Sequence, residues 1–271
     1  MTKKKNDVGC DDVTKTEIIE TKAVSKMVIL NKESLAMFQE CLKENLGGAE
    51  LDLREFPAIH VPTGGSTIFT YETISGEESI KEINGIIVAK QSNMRILFNP
   101  EASVGAAPPL CIGMDGIGDG EPGGKCQICL WNKFGTAIRD GKKGRGKACK
   151  ELYILFVLRP GEIMPIRLPL PTMSRKPATV YMMHLVRAMK PYWSVVTQIT
   201  LEKAANAEGQ PYAKAKFAFV RDLTPEEKSV IMEYKESFND LLNKTKDKSK
   251  FVSNSDYPIS NSNDDNNDDN M

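Results

Sequence analysis

Hydrophobic residues recur at helical spacing in three parts of the chain. The first repeat lies within residues 31–47, where an apolar stripe is formed by Leu35, Phe38, Leu42 and Leu46. Side chains three or four residues apart share one face of a helix, and Gly47 supplies a C-terminal stop. The pattern therefore predicts one amphipathic helix in this segment.

Two further helices are predicted nearer the C-terminus. One covers roughly residues 174–190, with Ser174 as its N-cap. The other follows Thr224, which is the predicted N-cap, with Pro225 at the first helical position and Glu227 completing a capping box. This second pattern is the strongest helix start in the sequence, and the apolar stripe that follows it predicts packing against a sheet.

Most of the remaining sequence consists of short β-rich runs separated by turn residues. Residues 51–100 contain FPAIHVP, STIFTYETI, INGIIVAKQ and MRILFNP, and further runs occupy residues 151–158, 163–170, 194–203 and 212–221. Such runs favour a meander or a small antiparallel barrel over alternating α/β units. The predicted fold class is α+β, with a β-barrel core and flanking helices.

The pattern weakens at both ends, which suggests three regions. Residues 1–26 are polar and are predicted to form a flexible arm, and residues 27–245 form the core domain. Residues 246–271 lose most apolar side chains and carry a run of aspartates, so we expect a disordered acidic tail. The tail has two interpretations, a partner-recruiting polyanion that competes for a basic groove or a solubilising segment.

Charge is unevenly distributed, although 36 basic residues balance 36 acidic ones. Residues 125–150 hold eight lysines and arginines against the single acid Asp140, a local charge of +7. No signal peptide or apolar span is evident, so we expect a cytoplasmic protein with reduced thiols.

Three of the six cysteines fall within this basic region, and a fourth, Cys111, precedes it. Cys111, Cys126, Cys129 and Cys149 have the spacing C-x14-C-x2-C-x19-C. A C-x2-C pair places two thiolates on one face of a metal, and two flanking cysteines complete a tetrahedral set. The sequence predicts a structural Zn²⁺ site on an inserted loop at residues 111–149.

Two alternatives to this ligand set remain open at this point. His60 could replace one cysteine, or the thiols could bind no metal and instead pack in the core or form disulfides. The Gly, Asp, Lys and Pro residues around them offer little apolar surface, and disulfides need an oxidising compartment.

Basic residues interleaved with aromatic ones suggest a surface for nucleic acid. Cations follow the phosphates of a single strand, and flat rings stack on its bases. The predicted phosphate-contacting residues are Lys125, Lys133, Arg139, Lys142, Lys143, Arg145, Lys147, Lys214 and Lys216. The predicted stacking residues are Trp131, Phe134 and Tyr153, for which core packing is the alternative.

The sequence offers no persuasive catalytic centre, and we predict that the protein is not an enzyme. The run GKKGRGK at 141–147 lacks the Ser or Thr of a phosphate-binding P-loop because Ala148 stands there. Gly118, Gly120 and Gly123 match a dinucleotide fingerprint only inside the cysteine loop. Only two histidines occur, and they form no recognisable catalytic motif.

The order of these parts resembles the zinc-containing, OB-fold single-stranded-DNA-binding proteins of phages and mobile elements. The resemblance implies an OB-like barrel, an inserted zinc loop and an acidic C-terminal tail. The T-even phage type has a histidine among its ligands and a tail ending in Phe, whereas this chain has four cysteines and ends in Met271. Residues 95–240 also resemble uncharacterised phage and mobile-element proteins of Gram-positive bacteria.

The resulting expectation is a protein that binds and protects single-stranded DNA in phage or mobile-element replication or recombination. Its acidic tail would contact replication or recombination proteins. The alternative is a zinc-stabilised protein-interaction or transcription-regulating module that does not bind a strand.

Overall fold

The computed structural model describes residues 56–244 except 63, 74, 100–108, 140–141, 207–208 and 210. It also describes 37, 40, 41, 43–45 and 47, of which all but Gly47 are helical. Gly47 has φ +63°, as expected of a helix C-terminal glycine. The apolar stripe predicted for this helix, the N-terminal arm and the acidic tail lie outside the described residues.

Besides that helical segment, the described residues form thirteen strands and two α-helices with defined bounds. The strands are β1 Ile59–His60, β2 Phe69–Thr73, β3 Gly76–Ile80, β4 Glu82–Leu97, β5 Cys111–Met114, β6 Ile117–Gly120, β7 Gly124–Lys125, β8 Ile138–Arg139, β9 Lys142–Lys143, β10 Lys150–Leu158, β11 Ile166–Leu170, β12 Val195–Ala205 and β13 Pro211–Asp222. The helices are α1 Thr172–Arg187 and α2 Pro225–Lys244. The α+β class predicted from the sequence is confirmed.

Strand β4 organises the main sheet. Its first residues pair with β12, its length from Ile86 to Ile96 pairs with β10, and its last four residues pair with β5. The sequence predicts two strands here, but they are one, because Ser92 and Asn93 form a bulge opposite Tyr153 instead of a turn. Strand β10 pairs on its other edge with β11, and β12 pairs with β13.

The sequence predicts an OB-like β-barrel, but the sheet is not closed into a barrel, because among the described residues β11 and β13 do not pair. Other elements take up the polar backbone groups of these strands. Arg167 on β11 donates its backbone N–H to Pro57 O at 2.8 Å, next to a parallel bridge with Ala58. On β13, the backbone N–H of Ala215 donates to the hydroxyl of Ser174.

The open sheet is buried on both faces. On one face α2 contributes Ile231, Tyr234 and Phe238 to a core that includes Phe56 and Phe156. The rings of Phe56, Phe156 and Phe238 meet edge to face with centroids 5.2–6.1 Å apart. This geometry is the preferred arrangement of aromatic pairs.

The opposite face is covered by α1 and by the small sheet β1-β2-β3. From α1, Ala178, Tyr181 and Leu185 are buried there, and from the small sheet Ile59 and Phe69 are fully enclosed. The core strand β10 is thus covered on both sides, which fixes the base of the loop that precedes it.

Sequence signals located the two helix starts with different success. The capping box of α2 is confirmed, since Glu227 N–H donates to Thr224 Oγ1 at 3.2 Å and Thr224 N–H donates to Glu227 Oε2 at 2.8 Å. Helix α1 instead begins at Thr172, two residues before the predicted cap. Ser174 lies inside the helix, and its hydroxyl accepts a hydrogen bond from β13 instead of capping the helix.

Candidate functional site

The segment between β4 and β10 forms an insert that continues the main sheet. Strand β5 pairs with the end of β4, β6 pairs with β5, and β7 pairs with β6. Cys111 begins β5 opposite Leu97, and Cys126 immediately follows β7. Two of the four cysteines are therefore positioned by one β-ladder that is anchored in the core.

Hydrogen bonds bring the other two cysteines to the same place. The backbone N–H of Cys129 donates to Cys126 O at 3.4 Å, which turns the C-x2-C segment. The side-chain amide of Asn132 donates to the same oxygen at 2.9 Å and accepts from Arg95 at 2.6 Å. Cys149 is tied to this turn because its N–H donates to Trp131 O at 2.9 Å.

All four predicted cysteines line one cavity of about 10 Å³. A space of this size holds about one water-sized species. Gly113 and Gly118 also line it, and a Cβ at these positions would lie 2.6 Å from Cys126 Sγ and 2.8 Å from Cys111 Sγ. The glycines therefore let the backbone approach the sulfur atoms.

The chemistry of this donor set fits zinc. The cavity lining contains four thiols and no carboxylate or imidazole, and all four cysteines are free. His60, the alternative ligand, instead lies on β1 opposite Thr70. No group of three or more Cys, His, Asp or Glu side chains in the described part of the chain has closed metal-site geometry. The four cysteines thus line one cavity, but their thiols are not at the mutual distances of a metal-bound set.

Burial keeps two of these thiols protonated when no metal is bound. It raises the pKa of Cys149 to about 11 and also raises that of Cys126, while the charge of Arg95 acts in the opposite direction on both. Zinc binds the thiolate, so metal uptake at neutral pH has to displace these protons. Arg95 favours that exchange because its charge stabilises thiolates.

The insert exposes most of the predicted basic residues. The exposed ones are Lys125, Lys133, Lys142, Lys143 and Arg145. Lys142 and Lys143 form β9, which pairs with the β8 strand that contains Arg139. Lys147 is partly buried, and its ammonium lies 4.6 Å from the centroid of the Phe134 ring. Cations and an aromatic ring therefore meet on the surface of the insert.

The three predicted stacking residues have different environments. Phe134 is 55% exposed, and Trp131 is partly buried beside the C-x2-C turn. Tyr153 is only 5% exposed and packs with Leu155 and Val157 in the core. Its prediction as a stacking residue is therefore wrong, because its ring has no free face for a base.

Lys214 and Lys216 lie on β13, outside the insert. On this strand Ala213 and Ala215 are buried and Lys216 is exposed. Lys214 is partly buried and lies 3.6 Å from Glu202 on β12. The two lysines thus share a face of β13, which lies outside the insert in the sequence and pairs with β12.

Sequence reasoning missed two sets of residues near the cysteines. Ile128 and Leu130, on either side of Cys129, are 73% and 70% exposed. Their position in a polar, glycine-rich stretch was the signal that they have no core to join. The second set is an ion network of Arg95, Glu151 and Arg175, whose members are far apart in sequence and show no pattern.

Neither described α-helix is long and apolar enough to cross a membrane. No protein-family model, curated protein or solved structure matches the chain.

Proposed function

We propose that this protein binds single-stranded DNA through the surface of its insert and protects it. One observation carries the proposal, the exposed Phe134 ring with Lys147 at 4.6 Å among five exposed cations. Rings supply roughly 1–3 kcal/mol per stacked base without regard to sequence, and cations follow the phosphates. The partly buried Trp131 lies in the same segment, and its carbonyl accepts a hydrogen bond from the Cys149 N–H.

Structural zinc is part of this proposal. Cys111, Cys126, Cys129 and Cys149 would hold the ion, which would cross-link the β-ladder of the insert to the segment that leads into β10. Four thiolates leave no open position for water, so the metal would stabilise the insert and take no part in catalysis. The insert has few apolar side chains to bury, and metal binding supplies the ordering free energy instead.

The connectivity of the core supports an OB-like assignment, although the barrel is open. OB folds are partly open five-stranded barrels that bind oligonucleotides across strands 2 and 3 and at the loops joining strands 1 to 2 and 4 to 5. We match their five strands, in order, to β4, β10, β11, β12 and β13. Strand β4 pairs with β10 and with β12, β10 pairs in turn with β11, and β12 pairs with β13. The insert then occupies the first of these loops.

The biological setting rests on the sequence resemblance to phage and mobile-element proteins. In that setting the protein would act in DNA replication or recombination in the cytoplasm of a bacterial host. The acidic tail would recruit replication or recombination proteins and would compete with the strand for the basic insert, since the five aspartates after Ser253 oppose the insert's local charge.

The test is a fluorescence titration of the full chain with labelled single-stranded and double-stranded oligonucleotides over several salt concentrations. We expect tighter binding to the single strand, with log K falling by roughly 0.7 per phosphate contacted for each log unit of salt. A version ending at Ser253 should bind more tightly, because it lacks the competing aspartates. If neither form binds either oligonucleotide, strand binding is excluded.

A protein-interaction role is the second candidate, and the exposure of Ile128 and Leu130 favours it. Two large exposed apolar side chains on a basic insert fit a partner that combines acidic and apolar residues. Replacing both residues by Ser would abolish such an interaction and leave a salt-dependent strand interaction largely intact. The same titration therefore separates the two candidates.

A further inference from the structure

A second cavity, of about 360 Å³, lies where the insert meets the core. Its volume is at the lower end of those of small-molecule sites, with room for one nucleotide. It is lined by Ser92, Asn93, Arg95, Asp115, Glu151 and Arg175, together with Met94 and Gly116. The lining is thus polar and brings together β4, the β5–β6 turn, β10 and α1.

Two arginines of this cleft share a single carboxylate. Glu151 forms an ion pair with Arg95, whose Nη2 lies 2.6 Å from Glu151 Oε1, and a second ion pair with Arg175. Arg95 is also held by Asn132, so its position is fixed by the insert. Asp115 is the other acid of the cleft and lies exposed in the β5–β6 turn.

Arg175 is the arginine of the cleft that keeps an unsatisfied donor. Its Nε is buried and has no hydrogen-bond partner within the described part of the chain. Burial, followed by the nearby charge of Arg95, lowers the pKa of the Arg175 guanidinium. An anion in the cleft that accepts hydrogen bonds from the accessible part of the Arg175 guanidinium would compensate its charge.

The backbone around the cleft suits a ligand with several oxygen atoms. The bulge in β4 places Ser92 and Asn93 opposite a single residue of β10, which turns two polar side chains toward one region. Hydroxyl and amide groups can each donate to phosphate oxygens. With two arginines, these side chains make a phosphate the anion that the cleft fits best.

We propose that this cleft is a phosphate-binding subsite, in which Arg175 and Arg95 hold one phosphate of the bound strand. The proposal rests on the strand-binding function above and adds a defined contact to it. Asp115 and Gly116 belong to the insert and line one side of the cleft. A DNA strand lying along the insert would therefore reach the cleft from that side. The cleft would thus fix the path of the strand from the insert onto the core.

The first measurement is the binding of dTMP to the full-length protein, followed by the phosphorus NMR signal of the nucleotide. Thymidine, which lacks the phosphate, serves as the ligand control in proton spectra. We expect Arg175→Gln to weaken dTMP binding by about tenfold, the loss typical of one charge-assisted hydrogen-bonding partner. Arg187→Gln is the matched protein control, because it makes the same change at an exposed position near the far end of α1.

The second measurement is the salt dependence of binding to a fifteen-residue oligothymidylate. Arg175→Gln should reduce the slope by roughly 0.7, the value for one phosphate on a single strand, and Arg187→Gln should not change it. Circular dichroism and a urea midpoint identify a variant that has merely lost its fold.

A gain of binding provides an independent check. Glu151→Gln removes the charge that occupies both arginines and keeps the side-chain shape, so dTMP and the strand should bind several-fold more tightly. Glu162→Gln is the control, because Glu162 pairs with Arg159 outside the cleft. Equal effects of the two substitutions would attribute the gain to net charge and overturn the proposal.

The two proposals fail in different ways. If the wild-type protein binds the strand and Arg175→Gln changes neither its slope nor dTMP binding, the cleft proposal is overturned and strand binding stands. If Arg175→Gln abolishes dTMP binding but leaves the strand slope unchanged, the cleft binds free phosphate compounds and is no part of the strand path. If only dTMP binds, strand binding itself fails.

Discussion

The hydroxyl of Ser174 on α1 accepts a 2.8 Å hydrogen bond from the backbone N–H of Ala215 on β13, and both residues are buried. This contact lies where a closed barrel would need a neighbouring strand. A backbone N–H inside a core must have a partner, and here a helix side chain provides it. The relationship explains how the edge of β13 that faces away from β12 can lack a strand partner at this position and still leave no buried donor unsatisfied.

We expect Ser174→Ala to lower the free energy of unfolding by about 1–3 kcal/mol, the cost of leaving a buried donor unsatisfied. The midpoint of urea unfolding, followed by circular dichroism, measures this. Ser229→Ala on α2 is the control, since Ser229 is exposed and its loss should cost less than about 0.5 kcal/mol. Equal effects of the two substitutions would show that the Ser174 contact does not stabilise the sheet.

The start of α2 predicts a specific dependence of stability on pH. The hydrogen bond from Arg221 lowers the pKa of Glu227, with a further contribution from the Thr224 N–H, while burial acts in the opposite direction. A carboxyl with a lowered folded pKa stabilises the protein above its unfolded pKa, and this contribution is lost as pH falls below that value through the folded one.

Glu227→Gln should therefore be less stable than the wild type at pH 7, by less than about 1 kcal/mol because the ion pair is partly exposed. As the pH falls from about 4.5 to 3, the free energy of unfolding of this variant should decrease less than that of the wild type. Glutamine can still form the capping box, so the substitution isolates the charge. Urea midpoints across this range measure the difference. Parallel pH profiles of the two proteins would contradict the interpretation.

Local chemistry made some features predictable and left others to tertiary contacts. The Thr224-Pro225-Glu227 signal located α2 because a capping box satisfies itself within four residues. Ser174 looked like a cap but serves β13, a partner 41 residues away. In the sequence, Ser92 and Asn93 separate two predicted strands. The structure joins these two strands into β4, because β10 pairs with β4 on both sides of the bulge.

Burial was equally hard to infer in the run that contains Tyr153. A continuous apolar strand has no polar face in its pattern, so sequence alone cannot assign Tyr153 to the core or to the surface. The structure places the ring against Leu155 and Val157. By contrast, the spacing of the four cysteines identified residues that line a common cavity, because metal ligands are selected by residue type and spacing.

Zinc content tests the proposed metal site. We expect about one zinc ion per full-length chain by elemental analysis, and Cys126→Ser or Cys149→Ser should reduce its retention at least tenfold, because three thiolates bind less tightly than four. Cys41→Ser is the control, as Cys41 is exposed and lies outside the insert. A full zinc complement in Cys126→Ser and Cys149→Ser would exclude the four-thiolate site.

Gly113 provides a steric test of the same site. Its added Cβ would lie 2.6 Å from Cys126 Sγ, so Gly113→Ala has to displace that sulfur or the β5 backbone. We expect zinc to dissociate at least several-fold faster to a chromogenic chelator. Gly144→Ala is a matched control within the insert, because its Cβ would come no closer than 3.7 Å to Ala137. Equal release from the two variants would mean that Cys126 is not held in place by this approach.

Phe134 provides the sharpest test of base stacking, because the chain contains a second exposed ring with the same kind of neighbour. Lys147 lies 4.6 Å from the centroid of Phe134 on the insert, and Lys190 lies 4.6 Å from that of Phe219 on β13. Both rings are about half exposed, at 55% and 45%. They differ in which element presents them, and Lys190 is also paired with Asp222.

Phe134→Ala should weaken single-strand binding by about 1–3 kcal/mol with little change in the salt slope, since it removes a stacking platform and no cation. Phe219→Ala should leave the affinity unchanged, and so should Tyr153→Phe, whose ring is buried in the core. Fluorescence titration with an oligothymidylate measures all three. If Phe134→Ala and Phe219→Ala weaken binding equally, strand recognition does not depend on the insert, and its cations serve another partner.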